Sequence, residues 1–520
     1  MKKIILSVFV VLLVFTLSAV CNSSASGAEY TFTIGLTGDI AGLEPGLAYD
    51  PNTIPVLSQI TDNLVKRTPD GGLEPQLAKE IETPDDTTYI YKLRDDVTFS
   101  DGAPLTADDV VWSLQRYADP NGGALQQWNY ENVLSIEKTG GLEVTVKLKQ
   151  PSNTWKHVAA TNPSYISSKK HFEETGEHIG TGAYVFESRV NGQEIVLKKR
   201  GDYWNGDISE APGKLIYKIV PDSTTLVTAL KNGEIDYAPV PPADLLGELI
   251  AAPSLKVSNY PDRAITFVAF NTGRGPTSDV NVRRAIYSAI DIDEFVVNVV
   301  GNLGSVTTGI PNSPALYGEH PDQWQKFSDS AIKYPYDIGK AKEYLAQSAY
   351  PDGFTANVVV NQNPRYNDIG LYLQENLKPL GINIEILKVT GEEHDEYYFG
   401  NILDADGKRG YDLLVGSWWP NNDVGGILEP LYQSGNSSNV AAYGNAAADA
   451  LIREEMTILD ETARNAKIFE ALNIILPDAP YIYVLYPNAQ NVINAKFTTP
   501  PIDSTPASDA LRYVDVRLAK

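Results

Sequence analysis

Apolar and polar positions along this chain change period repeatedly. Short runs with strand character alternate with longer stretches in which apolar residues recur every three or four positions. TFTIGLT (31–37), YIYKLR (89–94), LEVTVKLK (142–149) and EIVLKKR (194–200) carry the β-branched and aromatic residues of strands. LTADDVVWSLQRYA (105–118) predicts a helix with Thr106 as N-cap. Asp108 and Asp109 fall in its first turn, and Val110, Leu114 and Tyr117 on one face. DVNVRRAIYSAIDIDEFVVNVVG (279–301) predicts a longer helical region stopping at Gly301. DIGLYLQENLKPLG (368–381) followed by INIEILKV reads as helix, glycine stop, strand. AAADALIREEMTILDETARNAKIFEALNIIL (446–476) predicts two more helices. Mixed strands and helices over this length indicate an α/β protein of more than one lobe. With no repeat and no low-complexity linker, the lobes are expected to be tightly joined, the chain crossing between them more than once.

Residues 1–28 break this pattern. Lys2 and Lys3 precede an apolar run, Ile4 to Val20, and small and polar residues follow in CNSSASGAE. This three-part layout is that of a secretory signal peptide. The run lies at the short edge of what spans a bilayer, so a membrane anchor is the other reading. Leu17-Ser18-Ala19-Val20-Cys21 resembles a lipobox, with Val20 bulkier than the usual Gly or Ala. Cys21 is the only cysteine of the chain, which marks it as the lipidation candidate. Cleavage after Ala28, with Ser26 and Ala28 as the small pair, is the alternative. A single acyl chain anchors weakly, so the lipoprotein reading expects a multiply acylated Cys21.

Composition narrows the chemistry. The 520 residues are 43% hydrophobic and 21% charged, as in folded globular proteins. Lys+Arg number 42 against 66 Asp+Glu, a formal charge of -24, which repels phosphate backbones and argues against nucleic-acid binding. One cysteine excludes an intramolecular disulfide and a cysteine zinc site. No nucleophile elbow, phosphate-cradling loop or dinucleotide fingerprint occurs, and no catalytic residues or cofactor are expected. The five histidines are scattered. GEEHDE (391–396), with His394 among carboxylates, is the most metal-like cluster, but a solvated loop or helix face is the expected reading. Asp404-Ala405-Asp406-Gly407 reads as a surface turn, since no closing acidic residue follows. Asp85-Asp86 and Asp95-Asp96 read as turn chemistry. The positive signal is aromatic: the strand-like YDLLVGS (411–417) runs into Trp418-Trp419-Pro420 and then a polar, Gly-rich turn. Adjacent strand residues point to opposite faces, so one of these rings is expected to wall a cleft, the alternative being that both fill core.

Seven segments in order resemble the family 5 extracellular solute-binding proteins of ABC importers, which include dipeptide-, oligopeptide- and nickel-binding receptors. They are LEPQLAKEIETPDDTTYIYKLRDDVTFSDGAPLTADDVVWSLQR (73–116), GTGAYVF (180–186), RGDYWNG (200–206), KIVPDSTTLVTALKNGEIDYAPVPPADL (218–245), FNTGRGPTSDVNVRRAIYSAID (270–291), YDIGKAKEYLAQSAYPDGF (336–354) and DAPYIYVLYPN (478–488). The resemblance implies a two-lobed α/β receptor of the periplasmic-binding-protein type, with no enzymatic activity. Its first lobe would combine 29–270 with 487–520 and include a subdomain at about 76–190. Its second lobe would be 271–486, with ligand held in a cleft that closes by hinge motion. It implies export, ABC permease partners and a monomer.

The same resemblance supplies site expectations. In peptide-binding members an Asp three residues after a cleft Trp receives the ligand's ammonium. Counted from Trp418 that place is Asn421, with Asp423 two residues on. Dipeptide-binding members hold the ligand carboxylate with arginines ahead of a second-lobe helix. Those places are Asn367 and Asp368, with Arg365 nearby. Trp128 in QQWNY (126–130), Tyr486 near the return to the first lobe, and Tyr49 after the first strand are the further cleft candidates. Both charge anchors depart from the dipeptide pattern. Oligopeptides are the expected ligand class, and a sugar, an opine or a chelated metal such as nickel is the alternative.

Overall fold

The computed structural model describes residues 30–519, apart from Tyr49, 69–71, 243–244, 308, 312, 314–315, 317–319, 421–424 and 500–511. Cys21, Ser26, Ala28, Tyr49, Asn421 and Asp423 therefore lie outside the described residues.

One mixed sheet of twelve strands runs through the molecule. Its axis is the long strand Tyr481–Asn494. The first half of that strand pairs antiparallel with Ile265–Phe270, and its second half with Leu255–Pro261 and Tyr237–Ala238. The chain thus passes between two strand sets twice, once between Pro261 and Ile265 and once around Pro487. Strand Ile265–Phe270 sits with the second set, whereas the expected first lobe ran to 270. The polar link Asp262-Arg263, not the end of the apolar run, marks the change.

In the first set Thr31–Leu36 pairs in parallel with Lys214–Ile219 and with Tyr237, and Glu194–Lys199 and Tyr184–Val190 extend the edge. In the second, Phe354–Val360 runs parallel to Ile382–Lys388 and to Leu413–Trp418. All six residues of Ile265–Phe270 are buried. Ile265, Phe267 and Ala269 join one core layer, and Val268 and Phe270 the other, so a continuous apolar run is what this central strand requires.

A separate four-stranded antiparallel sheet is built from Ala78–Asp85, Thr88–Leu93, Glu143–Leu148 and Val133–Gly140. Helix Ala107–Ala118 packs on it, burying Val110, Leu114 and Tyr117 as their spacing predicts. Thr106 closes a full capping box: its hydroxyl accepts from Asp109 N, and the Asp109 carboxylate accepts from Thr106 N at 3.0 Å. Gly182 joins this unit to the first strand set, where an added Cβ would lie 2.4 Å from the Gln59 carbonyl oxygen.

The 279–301 region is not one helix. Val280–Ser288 ends before Asp291, whose carboxylate caps a new start at Glu294 N (2.9 Å), and a π-helical turn, Val296–Val300, follows. The glycine stop at 381 is present with φ +71°, and helices Ala446–Glu455 and Glu461–Ile475 form the expected pair. His394 corrects an expectation. On helix Gly391–Tyr398 it is buried, with Nε2 2.9 Å from the Val415 carbonyl, not on a solvated face. Burial holds its pKa below the usual imidazole value. Asp404 makes the expected turn, accepting from Asp406 N and Lys408 N at 2.9 Å each. Asp85 accepts from Thr87 N at 2.9 Å in a hairpin turn.

Candidate functional site

Strand directions locate the cleft. Tyr481–Asn494 leaves the second strand set at Pro487 and runs on into the first. Its antiparallel partner Tyr237–Ala238 therefore runs back toward the crossing, and so do the parallel strands Thr31–Leu36 and Lys214–Ile219. In the second set Ile265 pairs with Trp418, so Leu413–Trp418 ends at the crossing, and Phe354–Val360 runs the same way. Both halves therefore present the carboxyl ends of their parallel strands to each other. Open α/β sheets bind ligands at that edge.

On the second-lobe wall, Trp418 is half-buried against the core and its indole donates to Gly426 O at 2.5 Å. Trp419 is 58% exposed, and its indole donates to Asp262 Oδ2 at 3.1 Å. One ring of the pair thus packs and the other presents its face to solvent, as the alternation of a strand end predicts. Arg365 opens helix Pro364–Asn376, after the Phe354–Val360 strand, and Asn363 caps that helix by accepting from Arg365 N at 3.0 Å. Tyr366, beside it, packs in the same core layer as Leu413 and Val415 of the Leu413–Trp418 strand. This joins Arg365 to the Trp418 strand. The Arg365 guanidinium is half-buried, and among the described residues it has no hydrogen bond and no ion pair. Burial pulls its pKa down from the ordinary arginine value. A desolvated cation without a counter-charge favours an anion brought from outside.

On the opposite wall, Trp128 is 47% exposed on the turn Gln127–Tyr130. This turn is tied to the loop after the first strand. Leu125 N donates to Gly46 O at 2.9 Å, Gln126 Nε2 to Ala48 O at 3.0 Å, and Asn162 also donates to Ala48 O. Trp128 thus lies two residues after Gln126, whose amide is bonded to Ala48, the residue that precedes Tyr49. Glu429, on helix Gly425–Tyr432, has its carboxyl pushed above the usual range, first by burial and then by Glu131. Glu131 lies three residues after Trp128. The two walls touch through Lys156 Nζ and Glu461 Oε1, 3.1 Å apart.

Tyr486 is placed differently. It is 2% exposed in the second-lobe core, and its hydroxyl donates to Ile310 O at 2.8 Å, so its ring is not a cleft surface. Sequence reasoning missed Asp262, Glu429 and the Lys156–Glu461 contact. Only Asp262 left a signal, as a charged residue just ahead of the apolar run Ile265–Phe270. Among the described residues no group of three or more His, Cys, Asp or Glu could hold a metal ion, and no helix is long and apolar enough to cross a membrane.

Comparison with known proteins adds to this geometry. Residues 72–439 match the family described as bacterial extracellular solute-binding proteins, family 5 Middle. The curated "Probable D,D-dipeptide-binding periplasmic protein DdpA" of Escherichia coli K12 is 25% identical, covering 89% of each chain. Heme-binding protein A of Haemophilus influenzae is 26% identical over 89% of this chain and 88% of its own. Among solved structures, the oligopeptide-binding protein AppA of Bacillus subtilis in complex with a nonapeptide superposes with a TM-score of 0.73. It is 24% identical, over 94% of this chain and 99% of that one. Likeness at that identity speaks for the two-lobed fold.

Proposed function

Because the chain belongs to the bacterial extracellular solute-binding proteins of family 5, we propose that its cleft captures oligopeptides and delivers them to an ABC permease. Members of this family are non-enzymatic receptors, and this chain is read as one that binds and releases without turnover. The family's periplasmic and extracytoplasmic members are exported. In this reading the apolar segment ahead of Cys21 directs export, an acylated Cys21 holds a monomer at the outer face of the cytoplasmic membrane, and the lobes close about 261–265 and 487. Tyr49, Asn421 and Asp423 stay with Trp128, Trp418 and Trp419 as proposed ligand contacts.

Arg365 carries the reading. A free peptide ends in a planar carboxylate, and a guanidinium accepts that shape through two parallel hydrogen bonds. Half-buried at the start of the helix that follows Phe354–Val360, and without a partner among the described residues, Arg365 supplies one charged end of an extended site. The exposed Trp419 and Trp128 faces supply apolar walls.

Calorimetry with free-ended peptides two to nine residues long, and with the same peptides amidated at the C-terminus, tests this. Wild type should prefer the free acids, and R365A should weaken them about tenfold or more, the scale of losing a partly desolvated charge pair. Equal binding of acid and amide forms would overturn the role of Arg365.

A second reading, a non-peptide anionic solute, rests on the same residue, because a guanidinium reads an anion and not a peptide backbone. The relative named as heme-binding favours keeping it. Absence of any peptide binding would leave this reading in place.

A further inference from the structure

Asp262 stands in the short link between Leu255–Pro261, in the first strand set, and Ile265–Phe270, in the second. Each of its polar groups is engaged. Its N–H donates to Pro487 O on the other crossing at 3.0 Å, and its carbonyl accepts from the Ser313 hydroxyl at 2.7 Å. Carboxylate Oδ1 accepts from Arg263 N at 2.7 Å, and Oδ2 from the Trp419 indole at 3.1 Å. Among the described residues no cation pairs with this carboxylate.

Trp419 would otherwise be loosely held. It is 58% exposed, follows the last residue of its strand, and lies ahead of helix Gly425–Tyr432. An exposed indole at such a place samples several rotamers, and ordering it on binding costs free energy. A hydrogen bond from Nε1 to a fixed acceptor removes much of that freedom in advance.

We infer that Asp262 is a positioning residue, which orients the Trp419 ring over the cleft and ties that orientation to the hinge. Both bridges between the lobes meet at this residue. A rotation of the lobes about 261–265 therefore moves the acceptor that holds the ring, and the ring turns with closure. A ligand stacked on Trp419 thus favours the hinge angle at which the Asp262 bond is made. This rests on the receptor reading above, in which Trp419 is a ligand contact.

The test uses the mature protein labelled with 5-fluorotryptophan, the Trp419 resonance being assigned by its loss in W419F. D262A should shift and broaden that ¹⁹F resonance, while D262N, which keeps an acceptor oxygen, should stay near wild type. In calorimetry with an equimolar pool of free-ended peptides two to nine residues long, D262A should weaken binding about 2- to 10-fold, the worth of one hydrogen bond. D262N should restore most of it. W419F keeps a ring but lacks the N–H, so it breaks the same bond from the other side. D262A added to W419F should then cost nothing further.

An unmoved Trp419 resonance in D262A, or an equal loss of affinity in the W419F background, would overturn the inference. If the pool does not bind wild type, the peptide reading fails by itself, and the ¹⁹F comparison of D262A, D262N and wild type still decides whether Asp262 holds the ring.

Discussion

Replacing Glu44 by Gln should cost stability in a way that depends on pH. Glu44 lies in the loop that leads to Ala48 and the Trp128 wall. Its carboxylate accepts from Arg116 Nη2 at 2.6 Å, from His178 Nε2 at 2.7 Å and from Gly46 N at 3.2 Å. Burial alone would raise its pKa, but the His178 bond and charge, the Gly46 N–H and Arg116 outweigh it and hold the group at about 2, against an ordinary 4.5. Taken at face value that gap is about 3 kcal/mol. The side chain is 32% exposed, so solvent screening reduces the contribution to about 1 to 2 kcal/mol. A lowered carboxyl pKa stabilises the fold at every pH above the unfolded value and loses that contribution as pH falls through the folded one. The difference between wild type and E44Q should therefore be full at pH 7 and 5, and fade between about 4.5 and 2. Urea denaturation of both proteins at pH 7, 5, 3.5 and 2.5 measures it. A gap that is absent at pH 7, or that stays the same at every pH, would refute the reasoning.

Two further perturbations address the cleft. K156E should break the contact with Glu461, lower peptide affinity about two- to fivefold and enlarge the particle in small-angle scattering. K156E combined with E461K should restore both, since exposed pairs are worth up to about 1 kcal/mol. Glu429 is a carboxyl with a raised pKa, so the approach of its helix to Glu131 is favoured at acid pH and disfavoured as pH rises through the raised value. Peptide affinity should accordingly rise in wild type as pH falls through that raised value, and E429Q should bind at pH 7 as well as wild type does below it. An identical slope in both proteins would contradict the assignment.

What could be read from the residues follows from the range of the interactions. The Thr106 capping box and the glycine stop at 381 are local, and spacing alone shows them. The strand at 265–270 is not among the strands read from the sequence, and its lobe depends on pairing with 413–418 and 481–485, which no local pattern encodes. Tyr486 illustrates the same limit. An aromatic ring near a crossing suits either a cleft wall or a core, and the Ile310 carbonyl, far away in sequence, decides for the core. Arg365 was legible as a cation at a helix start, whereas its lack of a partner is a property of the packed lobe. The Glu44–His178 bond spans 134 positions, and nothing in either neighbourhood announces it.

The most direct test of the receptor reading is native mass spectrometry of the purified mature protein, followed by denaturation of the same sample to release what is bound. The account predicts a one-to-one complex that releases a heterogeneous set of peptides bearing free carboxyl termini. Release of a single non-peptide species would contradict it.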